Sequence, residues 1–244
     1  MKRPIILMCM LTVFFAAGLL LIPQTGSSQK KLSLSFHHRV GNETLVLDNS
    51  YTNILGENIV VRKFKYYLSN FSITDQSGKN HLLPADYFLV DEADSASKNI
   101  SLNVPTLEIK SINFLLGVDS IRNVSGIQTG VLDPLQGMFW TWNSGYIMAK
   151  LEGTSDSSHI AGQAFTYHIG GFKGETNTNR YITLTLPQKN KPQNNIHITA
   201  DINHWFKSKS EIRIAQTPVC HTPGALAVKI ANNYSTMFSV NADH

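Results

Sequence analysis

The chain has 244 residues, 42% hydrophobic and 16% charged. That is an ordinary globular composition, too apolar for an intrinsically disordered chain. The formal charge of +4 is small, and no Lys/Arg run is interleaved with aromatics, so a nucleic-acid partner is excluded from the working readings.

Lys2 and Arg3 open the chain, an apolar run fills residues 5–22, and Thr25-Gly26-Ser27-Ser28 follows. Positive, apolar, then small and polar is the order of a secretory signal peptide. Export is expected, to the periplasm or cell surface of a bacterium, with residues 1–28 removed near Ser28. The apolar run is also long enough for a retained membrane anchor, and this segment is the sole membrane contact expected. Residues 29–244 show no internal repeat and no break in composition, and are read as one domain. Cys220 is the single cysteine of that domain. No internal disulfide staples it, so its stability rests on a hydrophobic core.

Residues 32–40 alternate cleanly. Leu32, Leu34, Phe36, His38 and Val40 share one face, which places His38 on a core side and His37 in water. A β-rich run over residues 58–73 follows a Gly41-Asn42 turn and a short Leu45-Val46-Leu47 segment. Its Tyr66-Tyr67 pair puts one ring on each face. Residues 87–91, 100–104 and 109–118 read as further strands. Asp119, Asn123 and Asp133 then fall in a Gly-rich connection, where such residues cap loops by hydrogen-bonding turn backbones; holding a hard cation is the other reading, without an EF-hand pattern.

Residues 132–146 carry two of the three tryptophans, Trp140 and Trp142, separated by one residue and bracketed by Gly137 and Gly145. On a strand both rings point the same way. Two readings stand: a filled core, or the lining of a site. Residues 146–152 alternate again. Residues 164–169 end at His168-Ile169-Gly170-Gly171, a strand end where the backbone bends away and side chains converge. Residues 181–186 and 196–202 complete the strands. Thr222 and Pro223 suit a helix start, and Leu226, Ile230, Tyr234 and Met237 recur at helical spacing. The fold expected is all-β, an antiparallel β-sandwich or barrel-like domain with one C-terminal α-helix.

Hydrolase elbows, zinc-protease helices, phosphate loops and dinucleotide fingerprints are missing from the sequence. One mature cysteine cannot make a thiolate-rich zinc site. What remains is imidazole beside aromatics, and imidazole suits copper, zinc and nickel. Asp91, Asp119 and Asp133 have no spacing that makes an acid–base pair with His168, so no enzyme is expected.

Four stretches, in order, resemble the MbnP family of exported, methanobactin-associated proteins. They are Phe64-Lys65-Tyr66-Tyr67-Leu68-Ser69-Asn70, Phe114-Leu115-Leu116-Gly117-Val118-Asp119, Gly137-Met138-Phe139-Trp140-Thr141-Trp142-Asn143-Ser144-Gly145-Tyr146 and Tyr167-His168-Ile169-Gly170-Gly171. The resemblance implies a β-rich periplasmic or surface protein. It implies one copper ion held by histidines near a tryptophan oxidised to kynurenine, and a di-haem partner of the MauG and cytochrome c peroxidase type. Carried over, Trp140 or Trp142 matches the modified position and His168 matches one ligand. Val124 stands after Asn123 where copper-binding relatives carry a histidine, and His38 is the expected substitute. The alternative is a metal-free binding or scaffold module, with the tryptophans as core or as a platform for a partner.

Overall fold

The structure is a computed structural model that describes residues 28–141, 145–187 and 194–240. The expected targeting segment before Ser28 and the second tryptophan, Trp142, lie outside the described residues. In chain order the strands are β1 (Gln29–Val40), β2 (Glu43–Thr44), β3 (Ser50–Thr52), β4 (Asn58–Asp75), β5 (Asn80–Leu82), β6 (Tyr87–Asp91), β7 (Asn99–Pro105), β8 (Ile109–Leu116), β9 (Phe139–Thr141), β10 (Gly145–Thr154), β11 (Ala164–Gly170), β12 (Arg180–Thr185), β13 (Asn195–Asp201), β14 (Val219–Cys220) and β15 (Phe238–Val240). The helices are α1 (Ser120–Val124), α2 (Asn203–Phe206) and α3 (Ala225–Tyr234), with a few 3-10 turns between strands.

Two sheets enclose the main core. The small sheet runs β15-β13-β1-β2, with β7 also on β1. The large sheet runs β12-β8-β4-β10-β11-β14 and curls into a half-barrel, with β3, β5 and β6 along β4 and β9 on β10. The period-2 pattern of β1 does what it dictates: Leu32, Leu34, Phe36, His38 and Val40 are all buried. They meet the inner face of the large sheet, where Phe36 sits edge-on to Tyr66 at 6.3 Å between centroids.

The mainly β architecture is as expected; the purely antiparallel arrangement is not. β13 runs parallel to β1, with Leu34 opposite Ile196 and His38 opposite Ala200, and β14 runs parallel to β11. Alternation reports which face a residue takes and is blind to strand direction, which the long connections set. The C-terminal helix is present, but it starts at Ala225. Gly224, its N-cap, is extended, so Thr222 and Pro223 stay outside. Ile230 and Tyr234 bury one helix face as the spacing requires.

β4 is 18 residues long and apolar on both sides at its middle. Phe64, Tyr66 and Leu68 point into the main core. Tyr67 points the other way, into a second, smaller core with Val118, Leu132, Met138, Tyr146 and Phe172. Past Ser69 the register against β8 shifts, at Asn70 with φ +50°. This bulge returns Phe71 and Ile73 to the inner face.

The second core exists because residues 117–139 fold as a flap over the outer face of the large sheet. Hydrogen bonds fasten it. The Tyr67 and Tyr146 hydroxyls donate to the Val131 and Leu132 carbonyls, each at 2.8 Å. Asn123 is the main latch. Its Nδ2 donates to the carbonyls of Val118 (2.8 Å) and Asp119 (2.9 Å), and its Oδ1 accepts from the Tyr146 backbone N–H (2.9 Å). Asp119 and Asp133 cap α1 and the 3-10 turn at Pro134–Gln136, the capping role expected of them.

Asn123→Ala strips three bonds from buried groups and leaves the Tyr146 N–H without its acceptor. A loss of about 1–3 kcal/mol is expected, read in thermal unfolding as a midpoint lower by several degrees.

Candidate metal centre

His38 and His168 do not converge. His38 lies in the main core, 3% exposed, between the two sheets. Its Nδ1 is 2.5 Å from Glu92 Oε2 and its Nε2 is 2.8 Å from the Tyr66 hydroxyl. Burial is the largest influence on His38 and holds its pKa below the usual histidine value, so the ring is neutral at neutral pH. Burial pushes Glu92 up, but its bonds to His38 and Lys98 outweigh this and leave it below the usual carboxylate value. A neutral imidazole between an ionised carboxylate and a phenol has one tautomer: Nδ1–H donates to Glu92 and Nε2 accepts from Tyr66. Both nitrogens are occupied, and no lone pair remains for a metal. His38 is a hydrogen-bonded core residue.

His168 sits on the opposite, outer face of the large sheet. β11 buries Phe165, Tyr167 and Ile169 and turns Thr166 and His168 outward. β14 runs alongside with Tyr167 opposite Cys220, so the next residue, His221, falls beside His168. Their rings stack at 4.4 Å between centroids, 25° apart. The sequence reading missed His221. His221 directly follows Cys220 in sequence, but only the parallel register of a two-residue strand brings it to His168.

Trp140 lies on the same face. A Cβ built at Gly170 would come within 2.7 Å of the Trp140 ring and equally close to the Tyr146 carbonyl. Gly170 shares its face with His168, two residues away, so Trp140 covers the sheet immediately beside the histidine pair. The ring is half-buried and rests against the second core.

Glu152 organises the charges here. His168 Nε2 is 2.7 Å from its Oε1, Lys63 Nζ is 2.9 Å from its Oε2, and Lys150 Nζ is 3.6 Å from its Oε1. The His168 bond, helped by the two lysines, draws the Glu152 carboxyl down to about 2. Burial lowers the pKa of Lys150, whose Nζ also donates to the Gly137 carbonyl at 2.5 Å. His221 is lowered too, first by burial and then by the charge of His168.

The MbnP family's sequence pattern matches residues 29–222. The chain belongs to the MbnP family. No curated protein matches the sequence. The solved structure of MbnP from Methylosinus trichosporium matches with a TM-score of 0.60 and 15% sequence identity, over 89% of this chain and 100% of that one. At that identity the likeness is one of fold.

Within this MbnP-family fold, the position of Asn123 and Val124 is taken up by structure. Asn123 latches the flap, while Val124 is exposed on α1. Asp91 pairs with Lys65 at 2.8 Å, and Asp119 accepts from the Tyr87 hydroxyl. Cys220 is buried, and desolvation pushes its thiol up to about 11, so it stays protonated at neutral pH. Among the described residues, no group of three or more His, Cys, Asp or Glu side chains gathers in metal-holding geometry. The imidazoles on this outer face are His168 and His221, with Glu152 bonded to His168. A carboxylate that accepts from Nε2–H fixes the tautomer and leaves Nδ1 as the lone-pair nitrogen.

Two outcomes follow from this geometry. Glu152 titrates at about 2 in the fold against an ordinary value of 4.5, so its stabilisation is complete above 4.5 and is lost as pH falls towards 2. Glu152→Gln should shrink the acid loss of stability across that window, measured by denaturant unfolding at several pH values. Gly170→Ala should destabilise by about 1–3 kcal/mol through overpacking, with a change in tryptophan emission, because the new methyl meets Trp140.

Proposed function

We propose that this MbnP-family protein is an exported, non-enzymatic copper-binding protein whose ion is held on the outer face of the large sheet by His168 and His221, beside Trp140. The observation that carries this reading is the stacked imidazole pair set against a tryptophan that only a glycine at position 170 admits. Imidazole nitrogen suits copper, and the Glu152–His168 bond supplies the carboxylate–histidine arrangement that usually stands behind a metal-bound histidine. Bound copper supplies one-electron chemistry next to an oxidisable indole. The chain's own part is to fix the His168 tautomer through Glu152, to hold His221 in register through β14, and to press Trp140 onto the sheet. The partner in this reading is a di-haem protein of the MauG and cytochrome c peroxidase type, which oxidises the tryptophan to kynurenine.

A second reading is a metal-free binding module on the same fold, and one observation favours it. Lys63 and Lys150 stand beside Glu152, and their positive charge opposes a cation nearby.

Metal content and intact mass, on protein purified from its native host, separate the two. Copper binding at this face predicts one ion per chain that depends on His168 and His221, with a mass change on the peptide that contains Trp140 and Trp142. His168→Ala and His221→Ala should each remove that ion, Glu152→Gln should weaken it by about 10–100-fold, and His38→Gln should leave it in place. Metal-free protein with unmodified tryptophans, and no response to either histidine substitution, would establish the second reading instead.

A further inference from the structure

A different pair of histidines lies on the outer face of the small sheet. β1 and β13 are parallel neighbours, with Ser35 opposite His197 and His37 opposite Thr199. The diagonal pair meets: His37 Nε2 is 2.9 Å from His197 Nδ1. The ring centroids are 5.2 Å apart and the planes 27° from parallel. A centroid lies about 1.1 Å from each ring atom by the ring's own covalent dimensions, so the two nitrogens sit between the centroids. The rings therefore meet edge to edge, nitrogen facing nitrogen, rather than face to face.

We propose that His37 and His197 form a transition-metal site of their own, for a divalent ion of borderline softness, with copper(II) bound more tightly than nickel or zinc. This site is separate from His168 and His221 and does not rest on the copper reading given above.

Spacing is the first support. Two metal–nitrogen bonds of about 2.0 Å place their nitrogens about 2.8 Å apart at a right angle and about 4 Å apart in line. The observed 2.9 Å falls at the short end of that range. A modest ring rotation, or a widening of about 1 Å, converts the pair from a hydrogen bond into a chelate. The proton between the rings moves by way of water to the other nitrogen of its own ring, so both imidazoles stay neutral and each presents a lone pair.

Access is the second support. β7 leaves β1 at the Asn99–Ser35 pair and β2 joins only at Thr44–Arg39, which opens a gap in the sheet edge. A cleft of about 420 Å3 occupies this gap, lined by His37 and His197 with Ser35, Glu92, Ser95 and Lys98 among others. It has room for an ion with water in its remaining positions. Burial, then the charges of His197 and Lys98, hold the pKa of His37 below the usual histidine value, which favours its neutral, metal-binding form. The charged groups facing the cleft are Glu92, Lys98 and Arg39. Glu92 is already paired to Lys98 at 3.1 Å, so their fields largely cancel. Affinity is then set by the two imidazoles, in the order of the divalent first-row series.

The test uses the full-length chain carrying His168→Ala and His221→Ala, titrated with copper(II) alone by calorimetry and followed by electron paramagnetic resonance. The expected result is one equivalent bound, with coupling to two imidazole nitrogens. Adding His37→Ala or His197→Ala should each weaken binding at least tenfold and remove one nitrogen from the spectrum, with the thermal midpoint unchanged. Binding that is indifferent to both substitutions, or no uptake at micromolar copper, would overturn the proposal. Loss of a separate, His168-dependent equivalent from the otherwise unmodified chain bears only on the outer-face reading of the large sheet.

Discussion

A strand that is apolar on both faces cannot stand at the surface of a sandwich. β4 is such a strand, and Tyr66 and Tyr67 state the constraint in two adjacent residues: both rings are fully buried, in different cores. An ordinary two-sheet domain covers one face of each sheet and leaves the other to water. Here the inner face is covered by the small sheet and the outer face needs a lid of its own. The flap supplies that lid, and β9, into which it runs, carries Trp140. The placing of a tryptophan on the outside of the sheet thus follows from the need to bury Tyr67.

Much of this was readable from the chain. The alternation of β1 and β13, the continuity of β4, the opposed faces of Tyr66 and Tyr67 and the capping roles of Asp119 and Asp133 all follow from short-range pattern. What was not readable depends on contacts across long sequence separations. On the core side of its strand, His38 reads as a hydrogen-bonded core residue or as a ligand; Glu92, 54 residues on, and Tyr66 use up its nitrogens and decide for the first. Cys220-His221 is a lone adjacent pair in sequence; a two-residue parallel pairing puts His221 on His168. His37, placed in water by the alternation, proves to be hydrogen-bonded to a histidine 160 residues away. Periodicity settles which face a residue takes. It says nothing about which strand lies next to it, and ligand pairs are made by neighbours.

The fold uses the histidine–carboxylate contact in two different ways. In the core, His38 is buried and Glu92 reaches it from the cleft alongside, and the bond satisfies a buried imidazole that would otherwise be costly. On the outer face, Glu152 touches His168 while lysines flank it, and one His168 nitrogen stays outside the bond. The same two side-chain types are structural in the first setting and oriented for chemistry in the second. Burial and the count of remaining lone pairs distinguish them, not residue identity.

The bond from Lys150 to the Gly137 carbonyl has a mechanical consequence. It pins the flap to β10 only three residues before Trp140, and three residues of extended chain reach at most about 10 Å. One residue further on, the Ile147 N–H donates to the Met138 carbonyl at 2.9 Å. Trp140 is thus on a short tether rather than a swinging loop. With Gly137 and Met138 both bonded to β10, the indole is held over Gly170, beside His168. A partner that needs this indole must come to the sheet, because the sheet will not send the indole out to meet it.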